Sequence, residues 1–318
     1  MNFSPVGKIG LAPMAGAGDS GFRRICREWG ADYTVSEMIS AKAIRYNDEK
    51  SMSLADHHPN EEPMLIQLFG HELESLAFAA EFVQKKYDPV GIDLNMGCPA
   101  PKIFNNGDGS ALLKDHLLAS KLVSGVKEKC SCPVSVKMRI GVHIYDGSAV
   151  SFAREMERAG ADFITVHGRT RDQQYAGRAD YQAIKEIKNA LNIPVIANGD
   201  VVDGASAKRI LKETGADGIM LARGALGAPD VFSRIKDCLN DKPERLLSLN
   251  ERFEICLKQL SYMIEDKGEE KACIEFRKHM LWYLKGISGA SSLKVMASQI
   301  STREDCIQLI ENILHPPY

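Results

Sequence analysis

Eight short apolar runs, each followed by a longer helical pattern, constrain what this chain of 318 residues can fold into. The runs lie at 9–15, 33–37, 64–69, 92–96, 134–138, 163–167, 195–198 and 219–222. They read as near-continuous hydrophobic segments, the pattern of parallel strands buried on both faces. Helical patterns fill the gaps at 73–86, 110–129, 148–159, 181–191 and 203–214. Asp19 stands where it can cap a helix carrying Phe22, Ile25, Cys26 and Trp29 on one face. Gly160 and Gly215 each stand between a helix and a strand, where glycine supplies a left-handed cap. Eight β-then-α units predict an α/β fold, a closed (β/α)8 TIM barrel over residues 1–240.

The pattern changes after Asp241-Lys242-Pro243-Glu244, which reads as a linker. Phe253, Cys256, Leu257, Leu260 and Ile264 share one helical face, and Phe276, Met280 and Leu284 another. Ser301 and Glu304 have capping-box spacing ahead of Cys306, Leu309, Ile310 and Ile313. Residues 245–318 are therefore expected to form a small all-helical domain.

The net charge of −2 neither requires nor excludes a nucleic-acid partner, because only a local basic surface decides that. Among the cysteines, only Cys130 and Cys132 lie close together, with no second pair at zinc-ligand spacing. Free thiols and no metal are expected, and His57-His58 reads as loop. The start Met1-Asn2-Phe3-Ser4-Pro5-Val6 lacks a signal-peptide pattern, and no apolar run nears the ~20 residues of a membrane span. A cytoplasmic, monomeric protein is the expectation.

In a TIM barrel the chemistry gathers where the strands end. Here the ends are polar: Pro13-Met14-Ala15, Ser36-Glu37-Met38, Gln67, Asn95 with Cys98, Lys137 with Arg139, His167 with Arg169, Asn198-Gly199-Asp200 and Ala222-Arg223-Gly224. The last two groups follow the seventh and eighth strands, where barrels commonly hold phosphate. Arg223 would add a bidentate clamp. Lys137 and His167 would flank the ring of a cofactor whose phosphate sits there; a cation beside a flavin's pyrimidine edge stabilises the reduced ring. Taken alone, they serve equally as a Schiff-base lysine and an acid–base histidine. Cys98 occupies a Gly/Pro turn before a glycine-rich stretch that suits a lid. A cysteine of ordinary pKa, about 8.5, is mostly neutral thiol at pH 7 and can act as a general acid.

The segments "LAPMAG", "VSEM", "IDLNMGCPAPK", "GDGSALL", "VKMR", "HGRTR", "PVIANGD" and "RKHMLWYLKG" together resemble the tRNA-dihydrouridine synthases, closest to the bacterial B-type, over about residues 9 to 300. The resemblance implies FMN across the barrel mouth, reduced by NADPH, with hydride passing to carbon 6 of a uracil and Cys98 protonating carbon 5. By motif position, Pro13, Met14, Ala15 and Gln67 would contact the flavin, and Lys137 and His167 would line its pyrimidine side. Asn198, Gly199, Asp200, Ala222 and Arg223 would hold its phosphate and ribityl chain. Asn95 and Arg169 would touch the uridine. A tRNA would meet a basic face of Arg277, Lys278, Lys285 and Lys294, joined across the cleft by Lys42, Arg45, Lys102, Arg171 and Arg178. The sequence departs from the pattern at Ala222, where Gly is frequent, and at Asp108, which would put a negative charge near the incoming RNA. Two other readings stay open: an FMN barrel dehydrogenase of a free small molecule, of dihydroorotate type, and a non-catalytic RNA-binding protein.

Overall fold

The computed structural model describes residues 3–287 and 290–315. Its strands are β1 (Ile9–Leu11), β2 (Tyr33–Val35), β3 (Ile39–Ser40), β4 (Met64–Phe69), β5 (Gly91–Met96), β6 (Val134–Arg139), β7 (Phe163–His167), β8 (Val195–Asn198) and β9 (Gly218–Leu221). All pair in parallel, in the order β2-β1-β9-β8-β7-β6-β5-β4-β3, and β2 also pairs with β4. That last pairing closes the ring. β3 continues the line of β2 after the break at 36–38 and pairs with the far half of β4. The fold is a (β/α)8 barrel.

Strand parity divides the residues. Ile66, Leu68, Ile92, Leu94, Val134, Val136, Ile164 and Val166 face outward, into one large core shared with the surrounding helices. A second, separate cluster of Ala12, Tyr33, Val35, Leu65, Phe163, Ile196 and Met220 fills the barrel axis, with Phe3 packed against it. The Phe3 ring lies 5.2 Å from Tyr33 and 6.1 Å from Phe163, closing the bottom. Toward the top the inward positions turn polar: Gln67, Asp93, Asn95, Ser135, Lys137, Thr165, His167 and Asn198. The middle strands thus alternate in chemistry, as "GIDLNM" and "VSVKMR" do, and the reading of uniformly apolar runs is corrected there.

Several boundaries also differ from the sequence reading. β1 stops at Leu11, because Pro13 has no N–H for a ladder and the N–H groups of Ala17 and Gly18 turn back to Met14 O. The helix expected over 110–129 is a 3-10 turn, Gly109–Lys114, then an α-helix, His116–Lys129, capped by Asp115. The expected Ser301/Glu304 box forms one residue later, between Thr302 and Asp305. Asp19 caps the helix Ser20–Glu28 as expected, accepting from Phe22 N–H.

Beyond residue 245 the described elements are helices: Leu249–Lys267, Glu269–Tyr283, Ala290–Gln299 and Arg303–Leu314. Among the described residues no helix is long and apolar enough to cross a membrane. Asp19 lies in the seam between barrel and tail, with His279 Nε2 and Lys267 Nζ each 3.6 Å from its Oδ2, alongside the Arg24–Glu265 and Lys258–Glu28 pairs. A second contact reaches the barrel top. Gly227 has φ +67°, and a Cβ there would stand 2.4 Å from the backbone carbon of Trp282. Gly227→Val is expected to lower the melting temperature, since left-handed strain alone costs about 1–2 kcal/mol and the tail helix must also retreat. Thermal unfolding against wild type checks this.

Candidate active site

A cavity of about 860 Å³ opens at the C-terminal ends of the strands, within the usual range for small-molecule sites. Its lining includes Pro13, Met14, Ala15, Gln67, Asn95, Cys98, Lys137, His167, Asn198, Gly199, Asp200, Ala222 and Arg223. The structure therefore gathers every residue expected to meet a cofactor, together with Asn95 and Cys98. It adds residues to which the sequence reading gave no role: Arg139 from the end of β6, Met38, Tyr175 from the loop after β7, and Trp282 from the helical tail.

The floor is electropositive. Burial and the nearby Arg139 guanidinium push Lys137 down to about 8. Burial likewise pulls Arg139 down to about 10. Lys137 Nζ donates to Asn198 Oδ1 at 3.2 Å, an oxygen held in place because Asn198 Nδ2 donates to Met220 O at 2.7 Å. His167 is driven far below its ordinary value by burial, then by Lys137, Arg139, Arg169 and Arg223, so it is neutral. At the mouth, the Arg139 and Arg223 guanidiniums lie 5.8 and 4.4 Å from the Tyr175 ring centre. Crowded cations that weaken one another's charge favour an anionic ligand.

Cys98 sits on a braced turn. Its N–H and that of Gly97 both donate to Asn95 Oδ1, at 2.9 and 3.2 Å. Its carbonyl accepts from Ser110 N–H and Ser110 Oγ, at 3.2 and 2.8 Å. Burial raises the Cys98 thiol above its usual value, against the opposing pull of the Ala100 N–H, Arg139 and Lys137. The thiol is neutral at pH 7 and holds a proton to give.

The dihydrouridine synthase family model matches residues 10–315. The chain belongs to the dihydrouridine synthase family. Among curated relatives of this family member, tRNA-dihydrouridine synthase B of Pasteurella multocida is 39% identical over 282 residues, covering 88% of this chain and 84% of that protein. A probable tRNA-dihydrouridine synthase of Aquifex aeolicus is 35% identical, covering 98% and 96%. Among solved structures, a 2-naphthoyl-CoA reductase complex and the histamine dehydrogenase from Rhizobium sp. 4-9 each superpose with a TM-score of 0.54, at 11% and 13% identity. They cover 74% and 80% of this chain, which spans about half of each (50% and 48%). That likeness is one of fold.

Two expectations drawn from the family pattern change on the structure. Arg169, expected at the uridine, is only 2% exposed and lies behind the cavity wall. Its guanidinium donates to both oxygens of Asp200, at 2.7 and 2.9 Å, and to the carbonyls of Ala176 and Gly177, at 3.1 and 2.7 Å. It braces the turn after β8 and the loop carrying Tyr175. Asp108, expected to face RNA, is buried and bonded to His71 Nδ1 at 2.8 Å and Asn106 Nδ2 at 2.7 Å. At Ala222 the backbone φ is −124°, so the turn does not require glycine.

The residues expected to meet RNA are dispersed. Lys285 lines the cavity rim, and Lys102 and Arg178 are exposed. Arg171 stacks on Phe104 at 4.1 Å and pairs with Asp172. Arg277 is half-buried, its Nε donating to Ile300 O at 2.7 Å. Lys278 is half-buried and lies near Glu37. Lys42 and Arg45 pair with Glu72 and Glu74. Arg169→Met removes the charge-assisted bonds to the partly exposed Asp200 and is expected to cost roughly 1.5–3 kcal/mol in denaturant unfolding; a residue that touched only substrate would leave stability unchanged.

Proposed function

We propose that this chain reduces uridines in tRNA to 5,6-dihydrouridine, with FMN as resident cofactor, NADPH as reductant and Cys98 as proton donor. The observation that carries this reading is a neutral, braced thiol at the rim of an electropositive cavity in a dihydrouridine synthase fold. The relatives' names, tRNA-dihydrouridine synthase B among them, support tRNA as the substrate.

The residues fit a flavin mononucleotide. The turns after β8 and β9 offer backbone beside Arg223, suited to a phosphate. Gly199 has φ +136°, and a Cβ there would come 2.7 Å from the Ala179 Cβ, so the turn accepts only glycine. Lys137 supplies positive charge for a reduced pyrimidine edge, and neutral His167 a hydrogen bond. When bound, the FMN reduced by NADPH supplies hydride to carbon 6 of the uracil. Cys98 gives its proton to carbon 5, and solvent restores the thiol. Asn95 would orient the base, and the target nucleotide must leave its stack to enter the cavity. Residues 245–318 form the RNA-binding unit of this reading, with Lys285 at the rim as its nearest cation.

Incubating purified protein with NADPH and unmodified tRNA transcript tests the reading. Dihydrouridine that depends on both protein and NADPH is the expected result. Its absence from a flavin-loaded protein that NADPH does reduce would overturn tRNA as substrate. Cys98→Ala is expected to keep the flavin and slow uridine reduction by about 100-fold or more, the usual contribution of a general acid. Because the protonated thiol is the active form and burial raises its pKa, loss of the Cys98 proton sets in only above the ordinary cysteine range, on the alkaline side of any loss of the Lys137 charge near pH 8. An alkaline limb starting below pH 7 would contradict the donor role. Lys285→Glu is expected to weaken tRNA binding and to reduce the slope of log affinity against log salt by about one.

A further inference from the structure

Asp93 is a carboxylate where a barrel ordinarily keeps an apolar side chain. It points into the axis from β5, is 2% exposed, and sits one inward position above Gly91, the partner of Leu65 in the apolar axial cluster. Among the described residues no salt bridge is made to it. A buried charge without a directly paired cation costs several kcal/mol on general grounds, so its hydrogen bonds, with the field of nearby Lys137, hold it there. There are two. Ser135 Oγ donates to Oδ1 at 2.5 Å, and Gln67 Nε2 donates to Oδ2 at 2.6 Å. The three residues are cross-strand neighbours in one row, Gln67 opposite Asp93 and Asp93 opposite Ser135.

The row does not stop there. Gln67 Oε1 accepts from Asn95 Nδ2 at 2.8 Å, and Asn95 Oδ1 accepts the N–H groups of Gly97 and Cys98. The direction of this chain is fixed at both ends. A carboxylate can only accept, and peptide N–H groups can only donate. Each amide between them therefore has one orientation, and the Asn95 oxygen must face the cysteine turn.

We propose that Asp93 is a positioning residue for uridine reduction: its acceptor oxygens anchor the Asp93–Gln67–Asn95 chain that holds the turn carrying Cys98. The proposal rests on the reading of Cys98 as proton donor. Asp93 does not line the cavity, so it acts through Gln67 and Asn95. An acceptor at position 93 is what the chain needs, not a charge. Asn at that position can still accept from Gln67 Nε2, while Ser135 turns its hydroxyl to accept from the new amide. Leu, branched like Asp but larger, offers no acceptor, pushes Ser135 and Gln67 away and leaves Gln67 untethered.

The test separates the two half-reactions per bound flavin: reduction by NADPH, then reoxidation by unmodified tRNA with dihydrouridine formed. Asp93→Leu is expected to keep NADPH reduction within about threefold and to slow tRNA-dependent reoxidation about tenfold or more, the scale of one lost, well-placed hydrogen bond. Asp93→Asn is expected to stay within about threefold of wild type in both, since it restores the acceptor. Should Asp93→Leu not fold, Asp93→Ala carries the same expectation. Equal slowing of both half-reactions would mark Asp93 as merely structural and overturn the proposal. So would an Asp93→Asn as slow in reoxidation as Asp93→Leu, which would put the effect on charge. Wild type that forms no dihydrouridine would instead fail the functional reading itself.

Discussion

Every second side chain of a barrel strand faces the axis, and closure leaves that axis no route to solvent except through the top. Whatever stands at an inward position must therefore pack, pair or meet a ligand. Below, Tyr33, Leu65, Phe163 and Ile196 pack, with Phe3 as a plug. Above, Gln67, Asp93, Asn95, Ser135, Lys137 and Asn198 pair among themselves, and several of them face the cavity beside His167. The active site is the upper half of the barrel's own interior. Its geometry inherits the stiffness of a parallel ladder, unlike a site assembled from loops alone.

Much of this was legible in the chain, for physical reasons. Parallel strands covered by helices must be apolar on their outer faces, so β4, β7 and β8 announced themselves nearly to the residue. The strand ends announced the rim, because a polar residue closing an apolar run has little structural use there. Other features were present but misread. "GIDLNM" and "VSVKMR" alternate with period two, and that alternation already marks Asp93 and Ser135 as inward. Reading the runs as uniformly apolar hid both.

The rest depends on distance along the chain. Nothing near Arg169 in sequence says that it will meet Asp200, so its position beside His167 looked like a place at the substrate. Asp108 is buried because His71 arrives from a separate β/α unit. Tyr175 reaches the mouth from a loop without periodicity, and the Arg277 Nε is engaged by the carbonyl of Ile300, a later residue of the tail. Local patterns fix which face a residue takes; tertiary partners decide whether it is free to act.

Trp282 has a bearing on how such a molecule can be divided. The helical tail reads as a separate unit, an RNA handle joined to a catalytic barrel. Yet Trp282 and Lys285 belong to the wall of the cavity, and Gly227 of the barrel lies so close to the Trp282 backbone that no side chain fits between them. The boundary between tail and barrel runs through the cavity. A barrel relieved of its tail would lose part of the enclosure in which the base is reduced, and a tail grafted elsewhere would carry with it an aromatic side chain shaped for a chamber no longer there. Tail and barrel in this chain share a wall and cannot be exchanged as modules.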